Sequence, residues 1–432
     1  MPQARNLPTW ICEPTNEWAG TSGYEARKIY RDTEVVTHYS DAAVMFQAIG
    51  DDLGLSPAIG GRIELKNGLY LINSNVGGTY IVDMSSNAYG AAVQIDMVGE
   101  NRDNVIIRNN VVSEGDKMIG FLCNAKVENI TFDGNALGTD IDNVIVTGTG
   151  RSAVANNCKF IKHTGMGFQT FDTDYSTVTN CLFENTSTGA DDQCALASLK
   201  AEHVSGNTFD KTVGEPTGSC LTHGAGANID VSNNIIKRVL GSPIHGISVE
   251  PYSNNYENIN IHDNVLVNAR ITIGGSGAFT PTYRRVSIQN NILYGDTIRI
   301  LGPTSGDYST QMKDIHVQGN MLFDCYNIGI EVRNTAGFTT VRNNVIKNTN
   351  ASLATAANDG AIYLHDSSDI ICDGNNIFME LNADADYNPF GIKIASILNS
   401  VVQNNRIINR TAANPNYVIS GTNTGSLISK SK

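Results

Sequence analysis

Several acidic and imidazole side chains near the middle of the chain could carry proton-transfer chemistry. Asp191 and Asp192 are adjacent, His223 and His245 follow them, and Glu250 is the last of the group. Two carboxyl groups can act as general acid and general base, and an imidazole can exchange a proton near neutral pH. Because these residues are far apart in the chain, they can act together only if the fold brings the chain back repeatedly to one place.

An asparagine repeat indicates such a fold. The chain has 49 Asn and 41 Gly in 432 residues, and apolar residues, polar residues, Asn and apolar residues recur in that order, as in VSNNII and IQNNIL. The units are about 27 residues long, β-rich and without helical periodicity, which predicts a parallel β-solenoid of about twelve coils. The repeated asparagines are Asn110, Asn135, Asn157, Asn180, Asn207, Asn234, Asn264, Asn291, Asn320, Asn344, Asn375 and Asn405.

A second repeated pattern predicts which side chains share a face. It reads GFQTF, QCALA, SCLTH, GISVE and so on, one segment in each coil. Since strand side chains alternate, the second and fourth residues should point inward and the third and fifth outward. This alignment places His223 and Glu250 at the outward fifth position of successive coils. Asp192 and His245 precede equivalent strands two coils apart, so these residues should converge on one polar face.

The two ends of the chain differ from the repeat. The segment Ser40–Gly54 has apolar residues at helical spacing after a Ser/Asp start, which predicts a capping helix, and GGRIELKNGLYLI should form strand, turn and strand. We therefore expect an irregular segment at residues 1–39, a β-helix at 40–415 and a C-terminal tail at 416–432.

Composition excludes other classes of protein. The formal charge of −13 disfavours a nucleic-acid binder, and no stretch approaches the length of a membrane span. The eight cysteines form no metal pattern and are expected to be small core residues. No cofactor or metal is predicted, although Ca²⁺ near Asp172 and the Asp191–Asp192 pair is conceivable.

The capping helix, GGRIELKNGLYLI and the coils with Asn corners resemble the pectate-lyase-like superfamily of right-handed parallel β-helices, over residues 38 to 410. That superfamily includes pectate lyases, polygalacturonases, alginate epimerases and phage tailspike depolymerases. The resemblance implies an all-β fold, a polysaccharide bound along the coils, and a secreted or virion-associated protein. Tailspike-like members also imply a homotrimer.

One segment, GADDQCAL, resembles the Asp-Asp motif of polygalacturonase-type hydrolases. The motif implies that Asp191 or Asp192 is a catalytic acid. Of the flanking signature residues of those enzymes, this chain has only a histidine, His223. Asp192 and Glu250 would lie two coils apart, roughly 9.6 Å along the axis, near the upper end of the ~6.5–9.5 Å carboxyl spacing of inverting enzymes. The first hypothesis is therefore an inverting glycoside hydrolase in which Glu250 is the base and His223 tunes the pair.

Further residues should bind the substrate. Arg299 and Arg333 project from the predicted outer face and could hold acidic groups of a glycan, while Tyr252 could stack on a sugar ring; His245 and Asp172 are the other candidates. Two alternatives stay open: a polysaccharide lyase or uronate epimerase with a histidine or tyrosine base, and a non-catalytic glycan-binding adhesin or tailspike. Each residue could also be an ordinary turn or solvated surface residue.

Overall fold

The protein is described by a computed structural model covering residues 7–15, 23–30, 33–53, 60–78, 80–84, 93–112, 117–137, 142–184, 193–212, 218–239, 245–250, 255–275, 282–302, 312–325, 328–347, 360–379, 390–409 and 416–429. It contains two compact units, residues 1–218 and residues 219–432. Both units are built from coils of short parallel strands, and each coil contributes strands to three faces, named here sheet A, sheet B and sheet C.

The capping helix spans Ala42–Leu53. Asp41 begins it, because the Asp41 carboxylate accepts a hydrogen bond of 2.9 Å from the Ala43 backbone N–H, which would otherwise lack a partner in the first turn. Met45, Phe46 and Ile49 are fully buried on one side of the helix. This confirms the helix predicted from the apolar spacing.

The segment before the helix contains strands, although the sequence predicts an irregular region there. Thr9–Thr15 pairs in parallel with Gly61–Leu65 and antiparallel with Gly23–Tyr30, and Gly23–Tyr30 pairs antiparallel with Thr33–Tyr39. These strands add an edge to sheet A, and alternate positions such as Trp10 and Cys12 are buried. The burial pattern is short and irregular, which is why periodicity alone does not reveal it.

The first unit stacks its strands in register. Sheet A contains Gly61–Leu65, Gln94–Gly99, Asn124–Glu128, Ser152–Asn156 and Thr173–Thr179. Sheet B contains Gly68–Ile72, Val105–Asn109, Thr131–Asp133, Lys159–Ile161, Leu182–Glu184 and Thr208–Lys211. Sheet C contains Tyr80–Asp83, Lys117–Phe121, Asp142–Thr147 and Phe168–Phe171. Cys194–Ser205 begins in sheet C and ends in sheet A.

The second unit repeats the same arrangement. Sheet A contains Ala227–Ser232, Tyr256–His262, Tyr283–Gln289, Met312–Gln318, Thr339–Arg342, Ile370–Asp373, Val401–Gln403 and Leu427–Ile428. Sheet B contains Ile235–Arg238, Val265–Val267, Ile292–Tyr294, Met321–Phe323, Val345–Lys347, Asn376–Met379 and Arg406–Asn409. Sheet C contains Leu221–Ala225, His245–Val249, Arg270–Gly274, Ile298–Leu301, Ile328–Arg333, Gly360–Ser368, Phe390–Leu398 and Tyr417–Ser420. The predicted C-terminal tail thus contributes two further strands.

The core lies inside the coils, where like side chains stack on one another. In the first unit, Phe132, Phe160, Phe183 and Phe209 stack with ring centroids 5.3, 4.9 and 4.7 Å apart. In the second unit, leucines and isoleucines of sheet B, such as Leu293, take the equivalent buried positions. Each buried aromatic removes a large apolar area from water, and the stacking fixes the register of neighbouring coils.

At the corner before sheet B, repeated asparagines form a hydrogen-bonded ladder from coil to coil. In the second unit the Nδ2 of Asn291 donates to the Oδ1 of Asn320 at 3.0 Å, and Asn320 donates in the same way to Asn344. These side chains are fully buried, so each amide satisfies another amide that has no access to water.

The predicted class, an all-β parallel β-helix with one capping helix, is confirmed. The number of coils differs slightly from the predicted twelve.

Candidate functional site

Outward side chains of sheet C in the second unit line up from coil to coil. The register pairs Thr272 with Arg299, Arg299 with Glu331, Glu331 with Tyr363, and Tyr363 with Lys393. Because the side chains alternate along each strand, this column lies on the outer face, as the sequence pattern predicts for Arg299. Arg333 and His365 form the neighbouring column of the same face.

Three arginines lie at the edge of this face where the sheet C strands begin. Arg238 ends a sheet B strand and is only 2% exposed, and its Nη1 donates to the His245 carbonyl at 3.0 Å. Arg270 pairs in register with His245 and donates from Nη2 to the His245 Nε2 at 2.9 Å. We call Arg238, Arg270 and Arg299 the arginine cluster.

His245 is held neutral inside this cluster. Burial, and then the charges of Arg270, Arg299 and Arg238, lower the pKa of His245 to about 3. An arginine can only donate, so the His245 Nε2 accepts and the ring proton sits on Nδ1. His245 is therefore a fixed hydrogen-bonding group at neutral pH.

A carboxyl group beside the cluster has a raised pKa. Asp296 lies in the turn between sheet B and sheet C, and burial raises its pKa to about 6 although Arg270, Arg299 and Arg238 all act to lower it. Its Oδ1 accepts a hydrogen bond of 2.9 Å from the Thr297 N–H. Asp296 can therefore carry a proton at mildly acidic pH, which an ordinary surface aspartate cannot do.

A second carboxyl group of the same site is held ionised. Burial raises the pKa of Glu331, but the hydrogen bond from His365 and the charges of Arg299 and Arg333 outweigh burial, and the net pKa is lowered. Glu331 Oε2 lies 3.2 Å from Arg299 Nε, and Oε1 lies 3.3 Å from His365 Nε2. Both Asp296 and Glu331 act electrostatically on Arg270.

An aromatic pair lies next to Glu331. The rings of Tyr363 and His365 stack with centroids 4.2 Å apart, and Lys393 Nζ lies 4.7 Å from the Tyr363 centroid. Flat rings of this kind, together with a cation, are suited to a ligand that has both apolar faces and charged groups.

The predicted alignment of His223 with Glu250 is wrong by one residue. The register pairs Leu221 with Ile247 and His223 with Val249, so His223 is at the fourth, inward position and is fully buried. A shift of one residue moves a strand side chain to the opposite face. His223 therefore does not share the outer face with Glu250, and its position does not support the predicted tuning role.

The other predicted residues are distributed as follows. Glu250 follows its strand and accepts a hydrogen bond of 3.3 Å from the Ser248 hydroxyl. Asp172 is exposed in the first unit, in a left-handed corner with φ 54°. Asp191, Asp192 and Tyr252 lie outside the described residues, so the predicted acidic pair stays a prediction.

Sequence reasoning missed Asp296, Arg238 and Arg270. Asp296 is in a turn and Arg238 ends a sheet B strand, so both lie outside the repeated five-residue segments, and Arg270 is only the first residue of its segment, RITIG. Glu331 and His365 do occupy predicted outward columns, but nothing in their residue types distinguishes them from solvated surface residues. The signal lies in the coil register, which brings Arg299, Glu331 and Tyr363 into one column.

Among the described residues, no group of three or more His, Cys, Asp or Glu side chains could hold a metal ion. Within the same part of the chain, no helix has the length and apolar character needed to cross a membrane.

Comparison with known proteins gives matches only among solved structures. No protein-family model and no curated protein matches the chain. It is similar to the A-module of mannuronan C-5 epimerase AlgE4 from Azotobacter vinelandii, with a TM-score of 0.42 and 11% identity over 90% of this chain and 96% of that one. It is also similar to the Dettilon tailspike protein, with a TM-score of 0.49 and 13% identity over 88% of this chain and 64% of that one.

A third similar structure is a double mutant of the tailspike protein of E. coli bacteriophage HK620 in complex with a pentasaccharide. Its TM-score is 0.38, with 13% identity over 84% of this chain and 63% of that chain. Identities this low do not carry an activity or a substrate from one protein to another. The fold of the described residues, an all-β parallel β-helix, agrees in class with the one that the sequence resemblance implies.

Proposed function

We propose that this chain is a polysaccharide-degrading enzyme, a glycoside hydrolase that binds an acidic glycan along sheet C of the second unit. The observation that carries the proposal is the pair of carboxyl groups with opposite pKa shifts beside the arginine cluster. Asp296 has a pKa of about 6, while the pKa of Glu331 is lowered. Two carboxyl groups separated in this way are what general acid and general base catalysis requires.

In this reaction Asp296 gives its proton to the glycosidic oxygen, and Glu331 takes a proton from the attacking water. Glu331 lies one coil further than Asp296 and three positions along the strand, which places their Cα atoms roughly 11 Å apart. A separation of this size is wider than the ~5–5.5 Å between the carboxyl groups of retaining enzymes and is closer to the ~6.5–9.5 Å of inverting enzymes. The expected outcome is therefore inversion at the anomeric carbon.

The surroundings of the pair favour a glycan that carries carboxylate or sulfate groups. Arg270 Nε and Arg333 Nε are buried and have no hydrogen-bond partner among the described residues. An anionic group of a glycan would offset the positive charge of these guanidinium groups. The stacked Tyr363 and His365 rings provide a flat surface for a sugar ring.

The catalytic acid predicted from the sequence, Asp191 or Asp192, is an alternative to Asp296 as the proton donor. Glu250 directly follows its sheet C strand, three coils before Glu331 and about 14 Å from it along the axis. A pair formed by Asp192 and Glu250 would place the cleaved bond in a different part of the chain. Substitutions can separate the two assignments.

The test begins with a panel of acidic and neutral polysaccharides incubated with the full chain, with products analysed by mass. Hydrolysis adds one water to each cleaved bond, whereas elimination adds none and gives a product that absorbs in the ultraviolet. Hydrolysis of an acidic glycan supports the proposal. An unsaturated product would assign the chain to the lyases, and binding without turnover on any glycan would make it an adhesin.

The site is tested with Asp296→Asn and Glu331→Gln, each expected to lower kcat by roughly 10²–10⁴-fold because a proton donor or acceptor is lost. Asp314→Asn is the matched control, since Asp314 is exposed on sheet A with φ 55° and Asn accepts that backbone conformation. If Asp192→Asn and Glu250→Gln abolished cleavage while Asp296→Asn and Glu331→Gln did not, the predicted Asp192–Glu250 pair would replace the one proposed here.

A further inference from the structure

His262 lies between two carboxylates at one corner of the second unit, where it ends the sheet A strand Tyr256–His262. Its Nδ1 lies 2.7 Å from Oδ2 of Asp263, the next residue of the chain. Its Nε2 lies 3.1 Å from Oδ1 of Asp230, which belongs to the preceding coil. These side chains therefore connect two consecutive coils across the outer face of sheet A, and we call His262, Asp230 and Asp263 the histidine bridge.

The geometry of the histidine bridge requires a doubly protonated ring. A carboxylate oxygen can only accept a hydrogen bond, and a neutral imidazole carries a single N–H. With one ring proton, Nδ1 or Nε2 would turn its lone pair toward a carboxylate oxygen at hydrogen-bonding distance. Both contacts are favourable only in the imidazolium form, which donates from Nδ1 to Asp263 and from Nε2 to Asp230.

The two carboxylates are exceptions within the repeat. The register aligns Asp230 with neutral or imidazole side chains in the following coils, namely Asn260, Ser287, His316 and Thr340. Asp263 precedes a ladder asparagine, and the same corner position in the other described coils of the second unit is Asn or Gly, at 233, 290, 319, 343, 374 and 404. In this part of the chain, acidic residues thus occupy the two positions only where a histidine contacts both of them.

The charge of the ring is governed by these immediate neighbours. Burial lowers the pKa of His262, but the hydrogen bond to Asp263 and the charge and hydrogen bond of Asp230 outweigh burial, so the net pKa is raised. The register partners of His262 on the two adjoining strands, Ser232 and Gln289, are neutral. The remaining charged residues of these three strands lie toward their opposite ends, namely Glu257, Arg284 and Arg285.

The histidine bridge can hold the coils together only while the ring is charged. Because the pKa of His262 is raised in the folded chain, the bridge contributes its full stability below the ordinary histidine pKa of 6.5. That contribution is lost as the pH rises through the raised pKa. The two coils concerned continue into the strands that end at Arg238 and begin at Arg270, so they also carry two residues of the arginine cluster.

We propose that the histidine bridge is a pH-sensitive link between these two coils, formed when His262 is protonated and broken when the ring is neutral. The link makes this corner of sheet A the part of the second unit that loosens first as the pH rises. This inference rests on contacts within sheet A and does not depend on the proposed function.

The first test is a titration of the histidine ring signals of the full chain by nuclear magnetic resonance. We expect His262 to titrate above the ordinary histidine pKa, and we expect Asp230→Asn and Asp263→Asn each to lower its pKa, since each removes one facing charge. Both changes introduce the residue type found at the equivalent position of the next coil, Asn260 or Asn290, so both variants should fold.

Glu257→Gln is the matched control for the titration, because it removes a carboxylate from the other end of the same strand and should leave the pKa of His262 unchanged. A His262 that titrates at or below the ordinary histidine pKa would overturn the proposal. The same conclusion would follow if neither Asp230→Asn nor Asp263→Asn lowered the pKa.

Hydrogen exchange, read by mass spectrometry, measures whether the coils separate. Above the pKa of His262, the strand Ala227–Ser232 should lose protection by roughly two- to fivefold beyond the intrinsic effect of pH, the range expected for one partly exposed ion pair. His262→Gln should show the lower protection at both pH values. The strand Met312–Gln318 of the same sheet is the internal control and should respond to neither change. If Ala227–Ser232 kept the same protection on both sides of the pKa, or in wild type and His262→Gln at low pH, the link would not exist.

Discussion

The behaviour of the site depends on a few side chains held in unusual surroundings. Asp296 has its pKa raised by burial even though three arginines lie near it, which shows that desolvation outweighs their attraction. His245, two coils away, has its pKa lowered to about 3 by burial and by the same arginines. With His245 neutral and Asp296 able to take up a proton, Glu331 is the ionised carboxylate that contacts the arginine cluster, through Arg299.

The pH dependence of stability tests the state of Asp296. Its pKa is about 6 in the folded chain, against 3.8 for an ordinary aspartate, so the folded state binds the proton more tightly. The contribution of Asp296 to stability is therefore complete below about pH 4 and declines as the pH rises through 6. Asp296→Asn removes this pH-dependent loss of stability, because the Asn side chain does not ionise. The variant should gain on the order of 2 kcal/mol relative to wild type between pH 4 and pH 7, measured by urea unfolding at both values.

Asp314→Asn is the control for that measurement, because its carboxylate is exposed and should give the same small difference at both pH values. If the advantage of Asp296→Asn did not change with pH, the pKa of Asp296 would be ordinary and it could not serve as the acid.

The pH dependence of activity should report the same raised pKa of Asp296, together with the lowered pKa of Glu331. The proposed reaction requires Asp296 protonated and Glu331 ionised, so kcat should fall as the pH rises through about 6 and should also fall in acid, below the lowered pKa of Glu331. A pH–rate profile of the wild type measures both limbs. Activity that keeps rising above pH 7 would exclude Asp296 as the proton donor.

At the scale of single elements, the asparagine corner is the structure that the sequence reveals best. From Asn234 to Asn405 the repeated asparagines are buried and hydrogen-bonded to one another. This is possible because each side-chain amide carries both a donor and an acceptor, so the amide of one coil can donate to the amide of the next. In the first unit Asn207 is buried and accepts from the Cys181 N–H, but the prediction fails at Asn157 and Asn180, which have φ 50° and 56° and lie one position before the ladder. Cys158 and Cys181 take the ladder position, with the Cys158 N–H 3.4 Å from the Cys181 Sγ.

The reason for that failure is physical. Asn is favoured both at a buried ladder position and at a left-handed corner, so a pattern of Asn residues cannot tell the two apart by residue type. A comparable ambiguity explains the one-residue error at His223. All five residues of SCLTH are buried, so the segment fits an alternation of inward and outward side chains in either register. Fold class follows from the repeat length, whereas the site depends on register and on turn residues such as Asp296.

Asn320→Ala tests the ladder. The Asn320 amide donates to Asn344 Oδ1 and to the Ile288 carbonyl, and its Oδ1 accepts from Asn291, so truncation leaves several buried groups unsatisfied. We expect a loss of about 2–4 kcal/mol, seen as a lower urea midpoint. Asn258→Gly is the matched control, because Asn258 is an exposed corner residue with φ 57° that glycine also adopts. Equal losses in both variants would show that burial of the ladder contributes nothing.

For the whole molecule, net charge and local charge make opposite predictions. The chain carries a formal charge of −13 and should repel an acidic polymer, whereas the arginine cluster and Lys393 present cations on sheet C of the second unit. Salt screens both effects, so the sign of the salt dependence shows which of them governs binding. If the local cations govern it, affinity for an acidic glycan falls as salt rises; if net charge governs it, affinity increases.

We expect affinity to fall, because a bound carboxylate or sulfate contacts the partly buried guanidinium groups directly, while the acidic side chains elsewhere act through water and are screened over ~10 Å at 0.1 M salt. Titration of an acidic glycan at 0.05 and 0.5 M salt measures the slope. Arg299→Gln should flatten that slope, and Arg284→Gln, which removes an exposed arginine from sheet A, should leave it unchanged. Equal slopes for the two variants would mean that the glycan does not lie on sheet C.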